Sequence, residues 1–216
     1  MKAKAEPFKF YECTPLIKMT GRRAGSIVEL LEILGQVTPE SIFHHMHQYF
    51  LKPHVRPPAY PNDFAVWASE ALEEKRLAER LANLNPFEFV DIDEVRGEII
   101  RIIKDHLKEF PPPRPVLPGK EFFFNEGITF VIPTDIEATS NEEFVEALRK
   151  VDASSIYFHF YEARLRLGRA RDDFSLFFGE CLGCPGPAAR LNSLDPYMYS
   201  TEVLREKIIA ILEEEE

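Results

Sequence analysis

The second half of this chain repeats the first, and no other feature restricts its folding as much. "SIVELLEIL" (26–34) lies over "SNEEFVEAL" (140–148), and "VTPESIFHHMH" (37–47) over "VDASSIYFHFY" (151–161), both at an offset of 114. After a four-residue change of offset, "DFAVWASEAL" (63–72) matches "DFSLFFGECL" (173–182), and "AERLANLNPF" (78–87) matches "AARLNSLDPY" (188–197). Seventeen of the 40 aligned positions are identical, and about half of the others exchange one apolar residue for another. Four blocks in the same order predict that each half builds the same unit, because side chains that pack one scaffold also pack its copy.

Between the halves stands "FPPPRPVLPGK" (110–120). Proline has no amide hydrogen for a helix or a ladder, so the segment reads as an extended, semi-rigid linker. The first copy then spans about 8–109 and the second about 121–213. Each opens on aromatic or alternating residues, "FKFYEC" and "EFFFNEGITFVI", which suit a strand. Helices follow. Ser26 with Glu29, and Ser140 with Glu143, have the spacing of a capping box, which satisfies the unpaired amides of a first helical turn. Asp63 and Asp173 read as N-caps of a later helix. "CPGP" (184–187) interrupts that helix in the second copy and places a boundary near Glu74 in the first. Ile92, Val95, Ile99, Ile102 and Ile103 form the apolar stripe of a longer helix that closes the first copy. The predicted fold is mainly α with minor β. It is a tandem duplication of a helical unit, each copy opening with a short strand, the two packed with pseudo-twofold symmetry into one body.

Size and composition limit what such a scaffold can do. With 216 residues, 45% of them hydrophobic, the chain can bury a sizeable core. It has no run of about 18 apolar residues to span a membrane. "MKAKAEPFKF" lacks the apolar stretch of a secretory signal, so a cytoplasmic location is expected. Cys13, Cys181 and Cys184 are too few for a disulfide framework. "CLGC" has metal or redox spacing, but a zinc site needs about four ligands and there is no second pair. Cys181 and Cys184 therefore read as part of a turn. The net charge of −10 is uneven: residues 1–114 carry 16 basic and 17 acidic groups, residues 115–216 carry 10 and 19. Holding a phosphate backbone takes clustered Lys and Arg, so nucleic acid is not an expected partner. The closing "EEEE" reads as a solvated tail.

Two stretches, "FYECTPLIKMTGRRAGSIVELLEILG" and "VDASSIYFHFYEARLRLG", resemble a bacterial and archaeal family of unknown function. The resemblance runs over nearly the whole chain, and it implies no activity, cofactor or catalytic residue.

The two halves also sort the histidines. Only His45 recurs, as His159; His44 stands against Phe158 and His47 against Tyr161. Ile42, His45, Met46 and Tyr49 share one helical face, mirrored by Ile156, His159 and Phe160. An imidazole on an apolar stripe is expected to hydrogen-bond a carbonyl or a carboxylate in the core. The sharper alternative is a two-histidine site at the pseudo-twofold axis, for proton transfer or metal binding. His44 and His47, with His54 as a third ligand, make a lesser metal candidate, because rings at the matching positions call for bulk rather than lone pairs. Glu70 recurs as Glu180 and Arg80 as Arg190, which suggests an ion pair joining two helices.

Where the halves diverge, a ligand contact is the natural reading. "MTGRRAGS" (19–26) leads into a helix N-terminus, a place that draws anions through unpaired amides and the helix dipole. The second half has "PTDIEATS" there, so Thr20, Gly21, Arg22, Arg23 and Ser26 are the candidate anion contacts of the first half alone. The proline-rich stretch 52–62 reads as a connector, with a partner-binding surface as its alternative. No nucleophile elbow, zinc-protease motif, kinase signature or glycine-rich nucleotide loop is present. The favoured function is a non-catalytic cytoplasmic interaction or regulatory module with a protein partner and no cofactor. The alternative is an enzyme or binding protein for a phosphorylated or carbohydrate ligand at Thr20–Ser26. A metal-binding protein using the histidine cluster comes third.

Overall fold

In the computed structural model of the chain, residues 6–47, 59–163, 171–195 and 199–214 are described. Strand β1 (Phe8–Ala24) and strand β2 (Phe122–Ala138) make a two-stranded sheet. Thr20 Oγ1 donates to the Phe124 carbonyl and Thr134 Oγ1 to that of Phe10. Numbering thus rises along one strand as it falls along the other, which makes the pair antiparallel.

The chain forms two compact units. One takes the residues up to Thr14 together with those from Thr129 onward, and the other is Pro15–Ile128. This corrects the expected tandem duplication, in which each copy opens with its own short strand and packs by pseudo-twofold symmetry. Both strands are 17 residues long, they pair with each other, and neither belongs to a single unit. The physical reason is hydrogen bonding. A lone short strand leaves the amides of both edges unpaired, whereas a long partner satisfies one edge along its length. Matching side chains between halves says nothing about which strand pairs with which.

The Pro15–Ile128 unit carries α1 (Ile27–Leu34), α2 (Pro39–His47), α3 (Asp63–Glu70), α4 (Lys75–Ala82) and α5 (Ile92–Glu109). Helix α1 starts at Ser26, whose Oγ accepts the Glu29 amide while Glu29 Oε2 accepts the Gly25 amide at 2.7 Å. Its buried Ile27, Leu30 and Leu34 face α5, which buries Val95, Ile99 and Ile103. Arg96 of α5 then donates to the Leu34 and Val37 carbonyls, closing the C-terminal end of α1. The break between α3 and α4 turns on Glu73, at φ +60°. Residues 111–120 have no regular structure, but they are tied down. The Val116 amide donates to the Gly25 carbonyl, and Trp67 Nε1 donates to that of Lys120.

The other unit carries α6 (Asn141–Leu148), α7 (Ala153–Ile156), α8 (Asp173–Leu176), α9 (Pro185–Asn192) and α10 (Thr201–Glu213). Its core is a cluster of rings. Phe8, Phe10, Phe144 and Phe174 lie 4.8–6.3 Å apart between centroids. Phe10, Phe144 and Phe174 are fully buried, each worth about 1.5–3 kcal/mol. Two of its helices change pitch. α7 continues as a π-helix over Tyr157–Glu162, and α8 as a π-helix over Phe177–Cys181. The Ala163 amide accordingly reaches back five residues to Phe158, and that of Leu182 to Phe177.

Candidate functional site

His45 sits in α2 with both ring nitrogens engaged. Nδ1 is 2.9 Å from Asp63 Oδ2, and Nε2 is 2.9 Å from the backbone nitrogen of Asn125 on β2. His159 is held the same way in the other unit, by Asp173 Oδ2 at 2.8 Å and the Tyr11 amide of β1 at 2.9 Å. A backbone N–H only donates, so Nε2 must present its lone pair and the proton sits on Nδ1, facing the carboxylate. Each ring thereby pins a helix to a strand amide. Both rings are buried.

The aspartates are the part that the sequence rules misplaced. Asp63 and Asp173 are not the N-caps. Asn62 Oδ1 accepts the Ala65 amide, and Asp172 Oδ1 accepts the Ser175 amide. Asp63 and Asp173 follow as the first helical residues, where a carboxylate is favoured by the dipole and the side chain is left to hold the imidazole. The signal was present as two adjacent cap-competent residues, Asn62-Asp63 and Asp172-Asp173. The capping rule does not choose between neighbours.

Beside His159 lies a cleft of about 490 Å³. The two π-helical stretches form much of its lining, with Phe158 and His159 from one and Phe177, Glu180 and Cys181 from the other. Phe8, Lys9 and Tyr11 of β1 also line it. Among the described residues, Glu6, Lys9, Asp173 and Glu180 bring charged side chains to its lining. π-Helical turns are rare and occur mostly as single widened turns, frequently at functional sites. In the Pro15–Ile128 unit α2 and α3 are α-helix, although the Leu72 amide at the end of α3 also reaches back five residues to Trp67.

The remaining predicted residues lie elsewhere. Thr20, Gly21, Arg22 and Arg23 belong to the end of β1 rather than to a loop. Thr20 Oγ1 also accepts the Arg22 amide, Arg22 bonds Gln36 at 2.9 Å, and Arg23 is 3.9 Å from Glu121. The Glu29 carboxylate accepts the Gly25 amide, and Ser26 Oγ accepts the Glu29 amide. His47 Nδ1 donates to the Phe43 carbonyl at 3.2 Å, and its ring stacks on Phe43. His44 is buried beside Gly127, and His54 lies outside the described residues. Among the described residues no group of three His, Cys, Asp or Glu side chains is placed to hold a metal.

Arg80 bonds Glu109 at 2.7 Å and Arg190 bonds Glu214, while Glu180 is 4.0 Å from Arg171 and Glu70 is exposed. Cys181 is exposed. Cys13 is buried with its thiol on the Ser154 carbonyl at 3.4 Å, and burial, reinforced by Glu162, Asp152 and Glu12, pushes it up to about 12. No helix among the described residues is long and apolar enough to cross a membrane.

Comparison with known proteins fits a chain whose chemistry is not announced by motifs. Residues 5–213 match the family of unknown function DUF5752. The chain belongs to that family. Its fold is similar to the structure of OrfY from Thermoproteus tenax, with 29% sequence identity and a TM-score of 0.86 over 98% of this chain and 97% of that one. No curated protein matches the sequence.

Proposed function

We propose that this member of the family is a non-catalytic binding module and that the cleft beside His159 holds its ligand. The observation that carries the reading is the meeting of two π-helical stretches on one cleft whose imidazole has both nitrogens committed. A general base needs a lone pair turned toward a substrate, and a hydroxyl or thiol nucleophile needs such a base beside it. His159 spends its lone pair on the Tyr11 amide. The rings supply apolar contact area and the carboxylates supply orientation, the usual division in a small-molecule pocket.

A ¹H–¹⁵N titration of the whole protein with aromatic fragments of positive, neutral and negative charge tests this. Shifts should gather at Tyr11, Phe158–Phe160 and Phe177–Cys181, and each fragment should be recovered unchanged. Fragments that leave those amides unmoved, or that the protein consumes, would contradict it.

A further inference from the structure

We propose that Cys181 and Cys184 are a redox-active dithiol, which a low-molecular-weight disulfide closes to a disulfide across the turn before α9. The proposal stands apart from the binding-module reading, although Cys181 also lines the cleft. Its first support is access. Cys181 is exposed and Cys184 half-buried, both as free thiols, whereas Cys13 is buried. Exchange requires the attacking sulfur to reach the oxidant, so Cys181 is the thiol that an oxidant meets first.

The second support is the turn. The π-helical stretch Phe177–Cys181 ends in a chain reversal held on two adjacent carbonyls. The Leu182 amide donates to the Phe177 carbonyl at 3.0 Å, and the Cys184 amide to that of Phe178 at 2.8 Å. Between the cysteines Gly183 sits at φ +70°, the left-handed conformation that lets the chain fold back. A four-residue reversal keeps its end Cα atoms within about 7 Å, and a disulfide spans about 4.4–6.8 Å. Cys184 Sγ donates to the Leu182 carbonyl at 3.7 Å, so the thiol lies against the turn.

The turn itself does not need sulfur. After α3 the Leu72 amide donates to the Trp67 carbonyl at 3.2 Å and the Glu74 amide to that of Ala68 at 2.8 Å, with Glu73 at φ +60°. Ala71 and Glu74 stand there in the places of the two cysteines. Backbone geometry therefore does not call for a pair of thiols three residues apart; sulfur chemistry does. Closing so short a loop removes little entropy from the unfolded chain, so the bond is a reversible bridge rather than a staple.

The Cys181 thiolate attacks one sulfur of the oxidant, whose S–S bond breaks. One thiolate leaves and takes up the proton that Cys181 gave up. The Cys184 thiolate then attacks Cys181 Sγ in the mixed disulfide, and the second thiolate leaves with the Cys184 proton. The protein loses two electrons and two protons, and the oxidant gains them as two thiols.

The test incubates the reduced full chain with excess glutathione disulfide, caps it with N-ethylmaleimide and maps its peptides by mass. The peptide holding both cysteines should lose two hydrogens, take no cap and carry no glutathione, and dithiothreitol should restore both thiols. Cys184→Ser, a change at a half-buried side chain, should stop the reaction at a glutathione adduct on Cys181. Unsubstituted protein whose Cys181 keeps the glutathione, or whose two thiols still take the cap, would overturn the proposal. So would a bridge that runs to Cys13 or to a second copy of the chain.

Discussion

At the residue scale, the histidine pins make the firmest forecasts. Asp173→Ala leaves the His159 Nδ1–H buried without its acceptor, which should cost about 1–3 kcal/mol in urea denaturation. Asp173→Asn keeps an acceptor oxygen and should lose less. If the two substitutions behave alike, the hydrogen bond is not what matters at this position. Cys13 gives a second forecast. Its thiol is buried and held in the protonated form, so iodoacetamide at neutral pH should label Cys181 first, and Cys13 only after unfolding. Labelling of native Cys13 as fast as Cys181 would show that the β1 packing opens.

These residues also show what was legible beforehand. His45 and His159 stand out as the recurring pair, and a core hydrogen bond is the natural expectation for them. Their aspartates were hidden by a helix boundary one residue away from where the capping rule put it.

At the element scale, three ties hold helices and strands in place. Arg96 closes α1 by donating to the Leu34 and Val37 carbonyls, and Arg205 does the same for α6 at Leu148. Arg96→Ala should cost about 1.5–3 kcal/mol, the range for hydrogen bonds from a charged donor, and a loss below 0.5 kcal/mol would mean water replaces it.

Glu126 of β2 bonds Lys18 of β1 and Thr38 at the start of α2, which hold its carboxyl below the usual carboxylate range. Because the folded value lies below the unfolded one, its contribution is present above about pH 4.3 and is lost as pH falls through the folded value. Glu126→Gln should therefore flatten the fall in stability below about pH 4.3, measured by urea unfolding across that range. An unchanged slope would mean the ties to Lys18 and Thr38 do not distinguish folded from unfolded chain.

The strand pairing and the π-helical stretches were the illegible elements, for different reasons. Pairing is a long-range choice that side-chain matching cannot see. The π turns break the 3.6-residue spacing on which helix reading depends, and the first lies in a run of seven consecutive buried residues, Ser155–Tyr161, which no single helical stripe allows.

At the scale of the whole molecule, the surface offers a plain check on the fold. The β1 run Pro15–Met19 is exposed at every position, with Leu16, Ile17 and Met19 at 48%, 56% and 83%. Ile17→Lys with Met19→Lys should shift stability by no more than about 0.5 kcal/mol, as surface changes usually do. A larger loss in urea would place these side chains in a core.

The central claim is that the two π-helical stretches shape a ligand cleft, and hydrogen exchange of the whole protein tests it most directly. An aromatic fragment that binds the cleft, held at about 100 times its dissociation constant, should add about 2.7 kcal/mol of stability. It should slow exchange most in residues 157–163 and 177–184, and uniform or absent protection there would contradict the account.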